Sequence, residues 1–430
     1  MTCVVIFFCV NLLMFVYFNK RINRASPLLL ISLFWVISSA FGIYVYCYDL
    51  IPNIRERTTI MPYAFLLGCM MLSFSPFYKI NFAGIRNINA CNYEKLLFYF
   101  SCLLIVFSFL PLAEHLILLL KNNGDAAQFQ QQLSDIYEMK RENDVSQLSF
   151  PSRMMNGFSS NFRCVTIVLF FYFIGKEGYS RTFKILLFLP ILNSVLEHFL
   201  GASRASLFFD LANIFLIFLI VQGTYSPNLR RKVKKVLFII AGSIVSLLSI
   251  VSVARYFFSS KTSLGTSSIF DWIAIYFGEA TVRFNTQMWD ISAYMQGDNS
   301  FSFVKSLLGF PTFVDLLERR AYWTPKTKIS THVFYTFIGD FYGDFGPIGC
   351  VLVVLAFVFP CFLIARYVRR HKDSIKFHHL VYISLWGSIC LYGFTYFLYK
   401  TYYGFRCFFV QVLFALILAI LSNPSFKRKK

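Results

Sequence analysis

Carboxylates, arginines and histidines recur beside the apolar stretches of this 430-residue chain. Glu114 and His115, Arg163, Glu197 and His198, Arg204, Asp210 and Arg406 all stand within or next to long apolar runs. Ionisable groups at membrane depth are costly and are functional candidates by default. The sharpest local pattern is GASRAS, Gly201–Ser206, a very short turn between two apolar runs. Its small residues let backbones approach, and Ser203 and Arg204 sit at its centre; a guanidinium presents a planar fork that matches phosphate oxygens. An arginine reaching to lipid headgroups has the same signature. A second pattern, THVFYTFIGDFYGDFGPIG, covers Thr331–Gly349. Asp340 and Asp344 are four apart and share one face of a helix. Gly346, Pro347 and Gly349 mark a turn at the entry to an apolar run. His332 offers a base, or a structural hydrogen bonder; acidic residues at a helix start fit the helix dipole equally well. Lys400, Tyr402, Tyr403 and Arg406 crowd a third short turn, where tyrosines also serve as interface anchors.

The elements that hold these residues are membrane helices. Hydrophobic residues make up 57% of the chain and charged residues 14%, against roughly a quarter charged in a soluble domain. The reading is an all-α polytopic membrane protein of about eleven spans. The spans fall near 2–18, 26–48, 60–78, 96–120, 162–175, 185–200, 206–222, 236–254, 342–365, 379–398 and 404–422.

Charge placement orients them. The chain has 41 Lys and Arg and a net charge of +20. Basic residues gather in Lys20–Arg24, Lys79–Lys95, Lys176–Lys184, Arg230–Lys235, Arg366–Lys376 and Lys427–Lys430, with only Glu94, Glu177 and Asp373 among them. The remaining charges balance, so the whole excess follows alternate spans, as the positive-inside rule requires. The expected N-terminus is therefore external and the C-terminus cytoplasmic. The first run begins at Thr2 without a preceding basic residue, the reverse of a cleavable signal. The same segregation argues against nucleic acid as a partner.

The organisation expected is eight spans in 1–254 with a polar outer loop at 121–161, a long outer segment at 255–341, and three spans with a basic tail in 342–430. The long segment is rich in Tyr, Phe and Trp, and Asp271–Asn285 has apolar residues at helical spacing suited to the membrane interface. A loop this long with structure of its own is usually functional. Neither long loop contains any of the 11 Cys, so they carry no disulfide framework. No Walker loop, GxGxxG, GxSxG or HExxH occurs.

With its span count, GASRAS turn, long outer loop and THVFYT…YGDFGPIG entry, the chain resembles the bacterial oligosaccharide repeat-unit polymerases of the Wzy type. The paired RX10G pattern of some of these polymerases is not evident. The resemblance implies a membrane glycosyltransferase acting on undecaprenyl diphosphate-linked oligosaccharide at the outer face of the bacterial inner membrane. Membrane lipid and a chain-length regulator protein are the other partners it implies. Arg204, Arg283 and Arg406, with Ser203 and Lys400, are the expected diphosphate contacts. Asp344, then His332 and Glu279, are the expected bases, in an inverting reaction that needs neither metal nor cofactor. An O-antigen ligase and a flippase for lipid-linked oligosaccharide are the alternatives.

Overall fold

The structure is a computed structural model and describes residues 1–22, 26–51, 58–90, 92–121, 148–200, 204–258, 268–371 and 374–423. Sixteen α-helices occupy most of them: α1 Thr2–Arg21, α2 Pro27–Cys47, α3 Ile60–Lys79, α4 Glu94–Lys121, α5 Phe150–Asn161, α6 Arg163–Ile174, α7 Arg181–Leu186, α8 Leu189–Leu200, α9 Arg204–Val221, α10 Pro227–Phe258, α11 Ile269–Arg283, α12 Ser302–Leu307, α13 Leu316–Thr327, α14 Thr336–Arg370, α15 Phe377–Tyr392 and α16 Tyr402–Leu421. Strand among the described residues is confined to Asn87–Asn89 and Ser374–Lys376. Among the described residues, eight stretches are long and apolar enough to cross a membrane, and nine when the bent pair α5–α6 counts as one. The chain is an all-α, multi-pass membrane protein. Hydrocarbon offers backbone groups no partner, so helices that bond within themselves are the available spanning form.

The other two expected spans, 236–254 and 379–398, fall on α10 and α15. With 16 residues, α15 is roughly 24 Å long at 1.5 Å per residue and continues into the turn 393–401. The helix expected at 162–175 falls on α6, and a separate helix, α5, precedes it from Phe150. Ser149 caps α5, and Pro151 sits in its first turn, where a missing N–H costs nothing. Its polar residues up to Asn161 are therefore helix rather than loop, and 122–147 lie outside the described residues.

The chain divides into two compact units. The first contains 1–85, 263–375 and 382–409. Aromatic rings fill its centre: Phe341 stacks on Phe357 and Phe357 on Trp386, with centroids 5.8 and 5.7 Å apart. The buried indoles of Trp35 and Trp386 donate to the carbonyls of Cys390 and Ser73, at 3.1 and 3.0 Å. α11 packs on α2 where a Cβ on Gly278 would meet Gly42 N at 2.6 Å. No larger residue at 278 allows that approach.

α14 breaks at Gly346, with φ +69° and ψ −173°. The cause is chemical. Pro347 has no N–H for the Gly343 carbonyl, which accepts instead from Met295 N at 2.8 Å. The Asp344 carbonyl accepts from Gln296 N at 2.9 Å. The Gly-Pro pair is thus a kink inside a helix that starts at Thr336, rather than the turn before a span starting near 342.

The second unit contains 86–262, 376–381 and 410–430. α5 and α6 meet at a 69° bend, which leaves the first N–H groups of α6 without helical acceptors. Gln411 supplies one, its Oε1 accepting from Cys164 N and Val165 N at 3.0 and 3.2 Å. Phe100, Phe158, Phe162 and Phe414 pack around this joint.

Candidate functional site

In the first unit, the segment between α11 and α14 folds against the start of α14 and the turn before α16. Its organiser is the string Gly297-Asp298-Asn299-Ser300, entered through positive φ at Gln296 and Gly297. Asp344 accepts Asn299 N at one carboxylate oxygen, 2.9 Å, and Ser300 N at the other, 2.8 Å. Asp340 accepts Asn299 Nδ2 at 3.0 Å and Phe397 N at 2.7 Å. The two aspartates do share one helix face, and Asn299 ties them together.

Asp298 faces a different set. Trp323 Nε1 donates to it at 3.1 Å, and Lys305 pairs with its other oxygen. Arg319 is buried and donates from Nη1 to the carbonyls of Asp298, Asn299 and Lys400, at 3.3, 3.0 and 3.0 Å. Burial pushes its guanidinium below the ordinary arginine value, while Asp344, Asp340 and Asp298 hold the charge in place.

Lys400 lies beside this frame, its side chain mostly buried. Its Nζ is 3.8 Å from Asp340 Oδ1, and it lies 4.9 and 5.5 Å from the ring centroids of Tyr396 and Phe334. Phe334 stacks on Tyr396 at 5.0 Å and meets Tyr276 edge-on at 5.7 Å. Glu279 lies one turn beyond Tyr276 on α11. Its Oε2 accepts Arg283 Nε at 2.9 Å. Arg283 Nη1 also donates to Gln287 Oε1 at 3.2 Å, to which Tyr335 Oη donates at 3.1 Å. Burial raises the Glu279 carboxyl, with Arg283 and Lys400 opposing the shift. Burial lowers the Lys400 amine, with Asp340 the main support for its charge. The result is a cluster of two cations and a carboxyl beside three aromatic rings.

Of the sequence candidates, Glu279, Arg283 and Lys400 come together here. Asp344 is 1% exposed, and both its oxygens are engaged by backbone N–H groups. His332 is exposed, and its backbone N–H donates to Ser330 Oγ at 3.4 Å. Arg406 lies with its guanidinium 5.1 Å from the Tyr403 ring. Ser203 lies outside the described residues, and of Arg204 only the helical backbone is described. Sequence reading missed Arg319, Asn299, Gln287, Tyr335 and the aromatic wall. The turn-forming Gly-Asp-Asn-Ser string was the available signal.

The second unit gathers five of the other ionisable residues. Arg163 pairs with Glu197 at 3.5 Å and Asp210 at 3.8 Å. His198 Nε2 accepts from Arg163 Nη1 at 2.5 Å and lies 3.4 Å from Asp210. Asn156 donates to Glu197 at 3.0 Å, Asn193 to Asn156 at 2.8 Å, and His115 bonds Asn193 at 2.9 Å. The cavity among them is about 20 Å³, room for one water and not for a sugar. Glu114 serves differently, accepting Ser149 N and Oγ at the start of α5, at 2.9 and 2.5 Å.

Comparison of the chain with protein-family models, with characterised proteins and with solved structures finds no match.

Proposed function

We propose that this chain is a membrane glycosyltransferase that polymerises undecaprenyl diphosphate-linked oligosaccharide repeat units. In this reading it has eleven spans, with α10 and α15 added to the nine above. It lies in the bacterial inner membrane with the α11–α14 segment on the outer face. The observation that carries the reading is the convergence of Glu279, Arg283 and Lys400 beside Tyr276, Phe334 and Tyr396. Fixed cations placed where a diphosphate departs stabilise the charge that develops there. Aromatic walls with a few placed polar groups suit a ligand that is part sugar and part anion.

The roles follow from geometry. Glu279, with its carboxyl raised by burial, takes the proton of the acceptor hydroxyl. That oxygen attacks the anomeric carbon of the growing glycan, the bond from that carbon to the diphosphate oxygen breaks, and the electron pair leaves with the diphosphate. Arg283 and Lys400 hold the leaving oxygens. Asp344 and Arg319 position the frame without touching substrate. One displacement inverts the anomeric centre.

The test is reconstitution with a lipid-linked repeat unit, read as a ladder of products. Arg283→Ala should lower the rate roughly a hundredfold, the usual scale for one lost charge-stabilising contact. Transfer of glycan onto lipid A core with no ladder makes the chain a ligase. Movement of the lipid between leaflets with no new glycosidic bond makes it a flippase. The orientation is tested separately with Asp290→Cys on a Cys-free background. Labelling by an impermeant thiol reagent from the outer face supports it, and labelling only after lysis overturns it.

A further inference from the structure

The connection between α12 and α13 presents an apolar surface that no element among the described residues covers. Leu308 is 67% and Phe310 59% exposed, and Leu307, Val314 and Leu317 are exposed beside them. Across 306–317 the only charge is Asp315. It is occupied as the cap of α13, accepting Leu317 N and Glu318 N at 2.5 and 3.1 Å. The polar groups of the hairpin turn inward: Lys305 pairs with Asp298, and Thr312 donates to Asp298 at 3.3 Å. The first turn of the tip bonds its own backbone. Leu308, Gly309 and Phe310 donate to the carbonyls of Val304, Ser306 and Lys305, at 3.0, 3.1 and 2.9 Å. Pro311 has no N–H to satisfy.

The position of the hairpin says what covers it. Phe303 packs against Tyr402 and Phe409, with centroids 5.4 and 5.7 Å apart. These two residues are seven apart on α16, hence about 10 Å along its axis. Tyr402 Oη is 3.5 Å from Ser306 Oγ. The hairpin therefore runs beside the first two turns of a membrane-spanning helix. The exposed Tyr403 and Phe409 of that helix belong to the same kind of surface.

We infer that the tip Leu307–Leu317 lies at the membrane interface, where its exposed leucines and Phe310 dip to the acyl chains rather than contact water or protein. Apolar side chains reach the acyl boundary there while the polar backbone stays at headgroup level, and an apolar patch of this kind on a soluble surface would mark a docking site. This seating does not depend on the reaction proposed above. It makes the α11–α14 segment a lipid-anchored element rather than a freely hydrated loop.

The experiment uses Phe310→Trp in the full chain, reconstituted in phosphatidylcholine vesicles, with the wild-type emission subtracted. Vesicles whose acyl chains carry bromine should quench most of the added emission, and aqueous iodide should leave it intact. Quenching by iodide with no effect of brominated chains overturns the inference. Protection from both quenchers also overturns it, because a second copy or another protein then covers the tip. Leu308→Trp provides the same reading if Phe310→Trp does not reconstitute.

Discussion

Asp344→Asn separates a positioning carboxylate from a catalytic one. The wild-type carboxylate holds Asn299 N and Ser300 N at 2.9 and 2.8 Å in a fully buried place. The amide keeps one acceptor oxygen and turns its NH2 toward the other N–H. A hydrogen bond to a charged group contributes roughly 1.5–3 kcal/mol, and a buried donor left without an acceptor costs about 1–3 kcal/mol. Removing a buried charge relieves part of its desolvation cost. That relief offsets part of the loss here, because the carboxylate is fully buried, although the same charge supports buried Arg319. The net loss should be about 1–3 kcal/mol, and larger for Asp344→Ala, which leaves both N–H groups unpaired. On the scale of 150–250-residue domains, each kcal/mol lowers Tm by roughly 2–4 °C, so a fall of roughly 2–12 °C is expected. Thermal melting of the detergent-solubilised protein measures it, alongside the product ladder well below the melting point. The expected pair of results is a lowered Tm with the ladder retained in the cold. An unchanged Tm with the ladder lost at every temperature would refute the positioning role and make Asp344 a base.

Two further outcomes follow from the same geometry. Gly346→Ala forces a β-carbon into a backbone with φ +69° and 2.9 Å from the Tyr294 ring, so it should destabilise by more than the roughly 1–2 kcal/mol of the left-handed backbone alone; melting of Gly346→Ala with and without Tyr294→Ala measures the ring's share. Glu279 has its folded pKa raised from 4.5 by burial, so the folded state binds the extra proton, and stability should fall as pH rises from 4.5 through the folded value. Glu279→Gln should remove this group's share of that slope in melting experiments and, if Glu279 is the base, should also remove the activity that appears as wild type loses the proton over the same window.

What the sequence conveyed was local. Apolar length and the placement of 23 of the 41 basic residues follow from the physics of lipid, and nearly every expected span falls on a helix. The i,i+4 spacing of Asp340 and Asp344 needs only helical geometry, and they do share a face. The loop expected at 121–161 takes in the start of α5, although Ser149 and Pro151 are its local signals. The helix break was misplaced as a turn because its stability is not local. Gly346 and Pro347 announce a discontinuity, but the N–H groups of Met295 and Gln296 that make it tolerable inside a helix come from about fifty residues earlier in the chain.

The same division explains which site residues could be picked and which roles could not. Two aspartates in identical spacing have different surroundings. Asp344 is closed off by the Asn299–Ser300 backbone, while Asp340 reaches Lys400 at 3.8 Å. Nothing in the THVFYT…GPIG stretch distinguishes them, because the distinguishing groups belong to the Gly-Asp-Asn-Ser turn and to the residues before α16. Glu279 ranks last as a base on sequence and first on geometry for a related reason. An acid on an apolar helix reads as a solvated exception until α11 is seen packed on α2 through Gly278, with its polar edge turned to Arg283 and Lys400. Burial then does what sequence spacing cannot, raising the Glu279 carboxyl beside two cations that oppose the shift.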